Sequence, residues 1–377
     1  METISEILGK LQKVVNNPAQ VVDEYLKTRG RPVIGCAPEY CPEEIVYAAG
    51  MLPIGLWGGK TAISHATSYF PAFACSLVQT TLELGMRGVY DKLSAVIIPS
   101  HCDHLKCFGQ DWRVAVPQVK HISLVHPNNR QLEAAVSYLR SEYAHIRQEI
   151  AVIGRLPVSD QEINQSIEVY NQHRHTMREF TAVACDYPQT ITPRIRHLVM
   201  KSAYFMDKAE HTRAINQLIQ ALRQQPVETW PGKRVVLTGI MADSNELLDI
   251  LGENGLSVAA DDLAQESRQY RVDVPEGDDP LTRLAQRWSL MSGCPLLIDP
   301  DRPRRHMLVN LAREVNAAGV IACMMKFCDP EEFDYPFYRR TLEEAGIPLL
   351  HLEVDAYGQA IEQARTRIQS FAEMLNQ

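Results

Sequence analysis

The sequence lacks the features that mark several large classes of protein. Its formal net charge is −8, so it has no basic excess with which to neutralise the phosphates of nucleic acid. No apolar run approaches the ~20 residues that a membrane-spanning helix needs. The polar start METISEILGKLQKVVNN also lacks the apolar core of a signal peptide. The chain is therefore predicted to be cytoplasmic and to bind neither nucleic acid nor a membrane.

Two familiar cofactor motifs are missing as well. The loop TGIMADSNE has a single glycine and no dinucleotide-binding fingerprint. Structural zinc sites usually take close-set cysteine pairs on short loops. The cysteines here are spaced more widely and spread over about 290 residues, which fits a structural zinc site poorly.

Cysteine is the residue that the chain does have in an unusual pattern. Six of its nine cysteines form three pairs, each five residues apart: Cys36 and Cys41, Cys102 and Cys107, and Cys323 and Cys328. Cys75 lies between the first two pairs, whereas Cys185 and Cys294 stand alone and are assigned to core or surface positions. Disulfides are disfavoured in the cytoplasm, which leaves metal ligation, catalysis or burial. The repeated spacing favours a metal, and thiolates are the preferred ligands of iron–sulfur clusters.

The order of apolar and helical patterns predicts an α/β fold. We expect two doubly wound domains with short parallel sheets and a helical segment between them. The expected divisions are an N-terminal α/β domain (1–127), a helical segment (128–225) and a C-terminal α/β domain (233–377), with PVETWPG (226–232) as a linker. A last amphipathic helix is predicted from about Tyr357 to Met374.

The two predicted sheets are built from short apolar runs. The N-terminal strands are PVIG (32–35), LPIGLW (52–57), AVIIP (95–99) and HISLV (121–125). The C-terminal strands are KRVVLTGI (233–240), LSVAADD (256–262), PLLID (295–299), GVIACMMKF (319–327) and PLLHLEVD (348–355). Ligands of parallel sheets bind beyond the carboxyl ends of the strands, and most of the paired cysteines fall there. The pattern predicts a cluster in an interdomain cleft, with the mid-strand Cys323 as its weakest candidate.

Long stretches of the chain resemble the benzoyl-CoA reductase and 2-hydroxyacyl-CoA dehydratase superfamily. The resemblance is carried by PEYCPEEIVYAAGMLPIGLWG, FACSLVQTTLELGMRGVYDKLSAVIIPSHCDHLK, MMKFCDPEEFDYPFYRRTLEEAGIPLLHLEVD and QARTRIQSFAEML. It implies that Cys75, Cys102 and Cys328 are the three thiolate ligands of a 4Fe–4S cluster with one open iron. It also implies an ATP-hydrolysing iron–sulfur activator that supplies a low-potential electron. Dehydratases use this electron to remove the hydroxyl of a 2-hydroxyacyl-CoA, and benzoyl-CoA reductases use it to reduce an aromatic ring.

The chain departs from the family pattern in two places. In DDLAQESRQY, Ala264 replaces a common cysteine and Glu266 a common glycine, while Asp262 and Arg268 still match. Arg268 is therefore a candidate substrate contact. The second departure is a surplus of thiols, namely Cys36, Cys41, Cys107 and Cys323. Six ligands from one chain would suit a double-cubane cluster of the Fe8S9 type, which some members of the superfamily contain.

Two other groups near the cysteines have alternative interpretations. His101 and His104 flank Cys102 and are either proton donors or cluster hydrogen-bond partners, or exposed loop histidines. The run DPDRPRRH (299–306) is either a site for coenzyme A phosphates or, as the sequence favours, a solvated charged turn.

Three functional hypotheses follow from the sequence. The first, which we favour, is a homodimeric double-cubane enzyme that reduces a small substrate with electrons from the activator. The second is a single-cubane subunit of a 2-hydroxyacyl-CoA dehydratase or aryl-CoA reductase, paired with a related subunit. The third is a non-catalytic electron-relay subunit. The substrate is not identified by the sequence.

Overall fold

Two four-stranded parallel sheets form the framework of the protein, as the computed structural model describes it for residues 2–355 and 361–377. The first sheet has the order β2-β1-β3-β4 and the second has the order β6-β5-β7-β8. The strands are β1 Val33–Cys36, β2 Leu52–Gly55, β3 Ala95–Pro99, β4 Lys120–Leu124, β5 Lys233–Gly239, β6 Leu256–Leu263, β7 Gly319–Met325 and β8 Leu349–Val354. The predicted α/β class with two parallel sheets is confirmed.

Fifteen α-helices cover these sheets in the described residues. Those of the N-terminal part are α1 Ile4–Asn16, α2 Pro18–Arg29, α3 Glu43–Ala48, α4 Ser76–Met86 and α5 Asp103–Ala115. The middle segment consists of α6 Glu133–Gly154, α7 Asp160–Ala184, α8 Pro193–Ser202 and α9 Lys208–Arg223. The remainder are α10 Asn245–Glu253, α11 Ser267–Tyr270, α12 Pro280–Ser289, α13 Arg304–Glu314, α14 Asp329–Glu344 and α15 Ile361–Leu375. None of them is long and apolar enough to cross a membrane.

The central strands are apolar because helices cover both faces of each sheet. Every residue of β3 (AVIIP) and β7 (GVIACMM) is buried, as expected of parallel strands without a solvent-exposed face. In each sheet the chain moves in opposite directions from one central strand, β1 in the first sheet and β5 in the second. Such reversals open a crevice at the carboxyl ends of the strands.

The helix α12 lies in the C-terminal half of the sequence but packs against α6, on the first sheet. Its Leu284 and Trp288 belong to the same apolar cluster as Ile34 of β1 and Ile97 of β3. The chain therefore returns to the first sheet after β6, and the loop that follows α12 lies beside the turns of both sheets.

The structure corrects two local predictions and leaves part of a third outside the described residues. PLLID (295–299) is a loop, because the backbone N–H of Ile298 donates to the carbonyl of Asn128 and not to a neighbouring strand. The strand predicted over 319–327 ends at Met325, since Phe327 adopts a left-handed φ of 65°. The last helix is described from Ile361, and its predicted first turn at 357–360 lies outside the described residues.

Candidate cluster site

A cavity of about 550 Å³ lies where turns from both sheets meet. Its walls come from the starts of α4 and α5, the loop after α12, and the starts of α13 and α14. Four of the nine cysteines line it: Cys75, Cys102, Cys294 and Cys328. The three cysteines that the family resemblance selects are therefore brought together from positions up to 253 residues apart (328 − 75).

Each of these three cysteines directly precedes a helix. Cys75 is the N-cap of α4, Cys102 of α5 and Cys328 of α14. The first turn of a helix carries unpaired N–H groups and a partial positive charge, which stabilise thiolates. The fold thus directs three helix N-termini at one cavity and places a thiol on each of them.

The three thiols influence one another electrostatically. Burial raises the pKa of Cys75 to about 12, the backbone N–H groups of Leu77 and Val78 oppose that rise, and Cys102 adds to it. Burial likewise raises the pKa of Cys328, and both Cys75 and Cys102 raise it further. Burial thus favours the protonated form of these thiols, and a metal must displace the protons to bind.

The three thiols stand at separate helix starts around the cavity. Within residues 2–355 and 361–377, no group of three His, Cys, Asp or Glu side chains suits one metal ion. In a cubane each thiolate binds its own iron, so the thiols need to stand around a cavity and not converge on a point. Three thiols at separate helix ends around a cavity of about 550 Å³ meet that requirement.

Both histidines that flank Cys102 line the cavity. The backbone N–H of Cys75 donates to Nδ1 of His104 at 3.4 Å, which ties the two turns together. His101 is buried, and neither of its ring nitrogens has a hydrogen-bond partner among the described residues. Burial lowers the pKa of His101 to about 3, so this ring is neutral.

The four surplus cysteines do not line the cavity. Cys107 is exposed on α5, because five residues carry it beyond the first turn of that helix. Cys323 lies within β7 and packs in the core of the second sheet. Cys36 and Cys41 face each other across the turn after β1, where Cys41 donates to the carbonyl of Ala37 at 3.2 Å. The structure therefore gives no support to the prediction that these four cysteines bind a second cubane.

Arg268, the predicted substrate contact, lies beneath the cavity and does not line it. It donates to Asp262 at 3.1 Å and to Glu331 at 3.3 Å. Arg304 lines the cavity and binds the same carboxylates at 2.8 and 3.1 Å. The aspartate and arginine of DDLAQESRQY that match the family pattern therefore support α14, which carries Cys328 at its start.

The family departures at residues 264 and 266 are accommodated locally. Ala264 is fully buried in an apolar cluster with Cys75 and Cys328. Glu266 accepts hydrogen bonds from Arg196 and from Nδ1 of His197, the latter at 2.8 Å. A charged residue replaces the common glycine at this place because two cationic partners neutralise it.

Cys294 is the cysteine of the cavity that the sequence did not reveal. It stands alone in the sequence and reaches the cavity only because α12 returns to the first sheet. A cysteine without a neighbouring cysteine or histidine has no local pattern that would distinguish it from a buried core residue.

Comparisons with known proteins identify the family of the chain. The sequence profile of the family described as "2-hydroxyglutaryl-CoA dehydratase, D-component" matches residues 38–375. The chain is 46% identical over 378 residues to lactoyl-CoA dehydratase subunit beta of Anaerotignum propionicum. It is 43% identical over 375 residues to (R)-phenyllactyl-CoA dehydratase beta subunit of Clostridium sporogenes, and both alignments cover 100% of each chain.

A more distant relative extends the likeness to the reductases. A benzoyl-CoA reductase subunit of Thauera aromatica is 23% identical over 353 residues, which cover 92% of this chain and 91% of that one. The chain therefore belongs to the superfamily of 2-hydroxyacyl-CoA dehydratase and benzoyl-CoA reductase subunits.

Proposed function

We propose that the chain is the β-type subunit of a 2-hydroxyacyl-CoA dehydratase and that Cys75, Cys102 and Cys328 hold one 4Fe–4S cluster. The observation that carries this proposal is the meeting of these three helix-capping thiols at one cavity. The names and full-length similarity of the two β-subunit relatives support the substrate class.

Cys75, Cys102 and Cys328 would hold such a cluster, and it would supply one-electron chemistry at this site. The protein's own groups have separate tasks around it. The thiolates bind, and the N-termini of α4, α5 and α14 offset their negative charge. His104 fixes the backbone of Cys75, and Arg304 with Arg268 neutralises the carboxylates behind Cys328.

The residues at the rim of the cavity are of the kind that contact a partner subunit. Ile298 and Phe333 line the cavity yet are 50% and 75% exposed, and the neighbouring Phe337 is 40% exposed. The guanidinium of Arg302 lies 3.8 Å from the centre of the Phe337 ring. Exposed aromatic residues and arginine are typical of interface centres. We infer that this rim is covered by a related subunit and that an ATP-hydrolysing activator supplies electrons to the complex.

Iron and sulfide analysis of the anaerobically purified chain tests the cluster. The proposal expects about four irons per chain, whereas the double-cubane prediction expects about eight. About eight irons would restore the first functional hypothesis and require a rearrangement of the surplus cysteines. Fewer than one iron after reconstitution with iron and sulfide would contradict both.

Activity requires the complete system. The chain, a related α-type subunit, an activator and ATP are expected to remove water from a 2-hydroxyacyl-CoA such as lactoyl-CoA. The same acyl-CoA without its 2-hydroxyl group is the control and should not react. Reduction of an aryl-CoA in place of this dehydration would contradict the proposal.

A further inference from the structure

A buried carboxyl group lies behind the cluster cavity, in the turn after β1. Glu39 is only 4% exposed. Glu39 and Tyr40 both adopt left-handed backbone conformations, with φ of 60° and 59°. Two consecutive non-glycine residues in this region are strained, and such strain persists only where the surrounding structure holds it. The turn therefore keeps the Glu39 side chain directed inward.

Glu39 has one ion-pair partner, Arg268, and the contact between them is long. Its nearest guanidinium atom is Nη1 of Arg268, at 3.9 Å, and this atom has no hydrogen-bond partner among the described residues. Asp262 takes the nearby donors, with Arg271 at 2.7 Å and Arg304 at 2.8 Å. Glu39 is thus a buried carboxyl whose negative charge is only partly compensated.

A thiol lies between this carboxyl and the cavity. Sγ of Cys294 is 3.9 and 4.0 Å from the two carboxyl oxygens of Glu39, and Cys294 also lines the cavity. Burial raises the pKa of Cys294 to about 12, so the thiol keeps its proton near neutral pH. It can accept one proton while it releases another, and it connects Glu39 with the cavity.

Burial has the largest influence on the pKa of Glu39, and the surrounding arginines and carboxylates act on it in opposite directions. Burial raises the pKa of Glu39 to about 7, Arg268 and Arg271 oppose the rise, and Glu331 and Asp262 add to it. The phenol of Tyr40 and the thiol of Cys294 are neutral near pH 7, because burial raises the pKa of both. A small change of charge in the cavity is therefore enough to change the protonation of Glu39.

We propose that Glu39 is the proton acceptor that compensates negative charge added to the cavity, with Cys294 as its link to that cavity. The inference rests on the proposed function, since the added charge is the electron that a reductant delivers to the cluster. One electron enters, the Glu39 carboxylate takes one proton from solvent through the Cys294 thiol, and the net charge of the site is unchanged.

The midpoint potential of the cluster-loaded full chain, measured from about pH 6 to 9, tests the inference. Proton uptake above pH 7 should lower the wild-type potential as pH rises, with a limiting slope of about 59 mV for each tenfold change in proton concentration in a one-electron couple. The E39Q variant should lose this slope. Redox-difference infrared spectra should show a protonated carboxyl band in the reduced wild type and not in E39Q.

Two further variants locate the proton. C294S should keep the slope, because the equilibrium position of the proton is Glu39. E332Q removes an exposed carboxylate on the same side of α14 as Cys328 and should shift the potential equally at every pH. Three results obtained with a full complement of iron would overturn this inference and leave the proposed function intact. They are a wild-type potential that does not change with pH, a slope in E39Q equal to that of the wild type, and a slope that is lost only in C294S. A chain that binds no iron would overturn the proposed function as well.

Discussion

The turns after β1, β3 and β7 each carry, or adjoin, a pair of cysteines five residues apart, but they present them differently. After β3 and β7, one cysteine of the pair caps the following helix and lines the cavity, as Cys102 and Cys328 do. After β1, Cys36 and Cys41 face each other, and the turn between them directs Glu39 inward. An equal spacing in sequence therefore does not produce an equal role.

The difference lies in where the helix begins. A thiol at an N-cap faces the end of its sheet and benefits from the unpaired N–H groups of the helix. A thiol five residues away lies either inside a strand, as Cys323 does, or beyond the first helical turn, as Cys107 does. Position relative to the helix start, and not spacing, selects the candidate ligands.

The comparison of the three turns predicts that loss of the cluster is the largest effect of a substitution. Cys102→Ser should reduce the iron content from about four per chain to less than one, because a cubane held by two thiolates is poorly retained. Cys107→Ser, in the same helix, should keep its iron. Iron analysis and the visible absorption of both variants provide the measurement. Equal iron loss in both would show that spacing does matter.

The turn after β7 is supported by the buried ion network of Arg268, Arg304, Asp262 and Glu331. Disruption of this network should cause the second largest effect, a loss of unfolding free energy. Arg304→Met removes the donors at 2.8 and 3.1 Å from Asp262 and Glu331, and only the longer contacts of Arg268 then join these two carboxylates. Removal of one partner of a buried pair costs about 3–5 kcal/mol of unfolding free energy.

The neighbouring Arg302 is the matched control for Arg304. Its side chain is 41% exposed and lies 3.5 Å from Asp334. Arg302→Met should therefore cost at most about 1 kcal/mol. Urea unfolding of the two variants measures the difference, and equal losses would contradict the assigned role of the network.

The turn after β5 carries no cysteine, and its Asp243 contacts a histidine of α8, His197, instead. Nε2 of His197 lies 3.1 Å from Asp243, and Nδ1 lies 2.8 Å from Glu266. Burial alone would lower the pKa of His197, but the two carboxylates outweigh it and raise the pKa to about 9. Stabilisation from the charged ring is complete below about pH 6.5, the value for an unfolded histidine, and is lost as pH rises through 9.

This loss should be on the order of 3 kcal/mol in unfolding free energy. Urea unfolding from pH 6 to 9 should therefore show falling stability in the wild type and a weaker dependence in His197→Gln. Parallel curves for the two proteins would mean that His197 is neutral in the folded state.

Much of the fold was predictable because its signals are local. The apolar runs AVIIP and KRVVLTG form β3 and β5 almost as predicted. The strand assigned to PLLID was wrong, because Leu297 packs in one apolar cluster with α12 and Ile298 lines the cavity, in place of a sheet neighbour. Periodicity detects an apolar segment but does not reveal which surface covers it.

The candidate site was predictable only in part. The family resemblance selected Cys75, Cys102 and Cys328, and the structure places all three at one cavity. Cys294 and Glu39 were not found, because their proximity depends on the return of α12 to the first sheet. Contacts between residues 255 positions apart have no local signal in a single sequence.

The smallest expected effect belongs to Cys323, the cysteine that shares its spacing with Cys328 but lies in the strand. It is 1% exposed and packs among the apolar side chains of the second sheet. Cys323→Ala removes one sulfur from a packed core and should cost about 1 kcal/mol of unfolding free energy, in the range of small buried deletions. Iron content should stay unchanged, whereas Cys328→Ser should lose its iron. Iron loss in Cys323→Ala without general unfolding would mean that β7 supplies a cluster ligand. That result would favour the double-cubane hypothesis, because Cys323 would then be one of its six thiolate ligands.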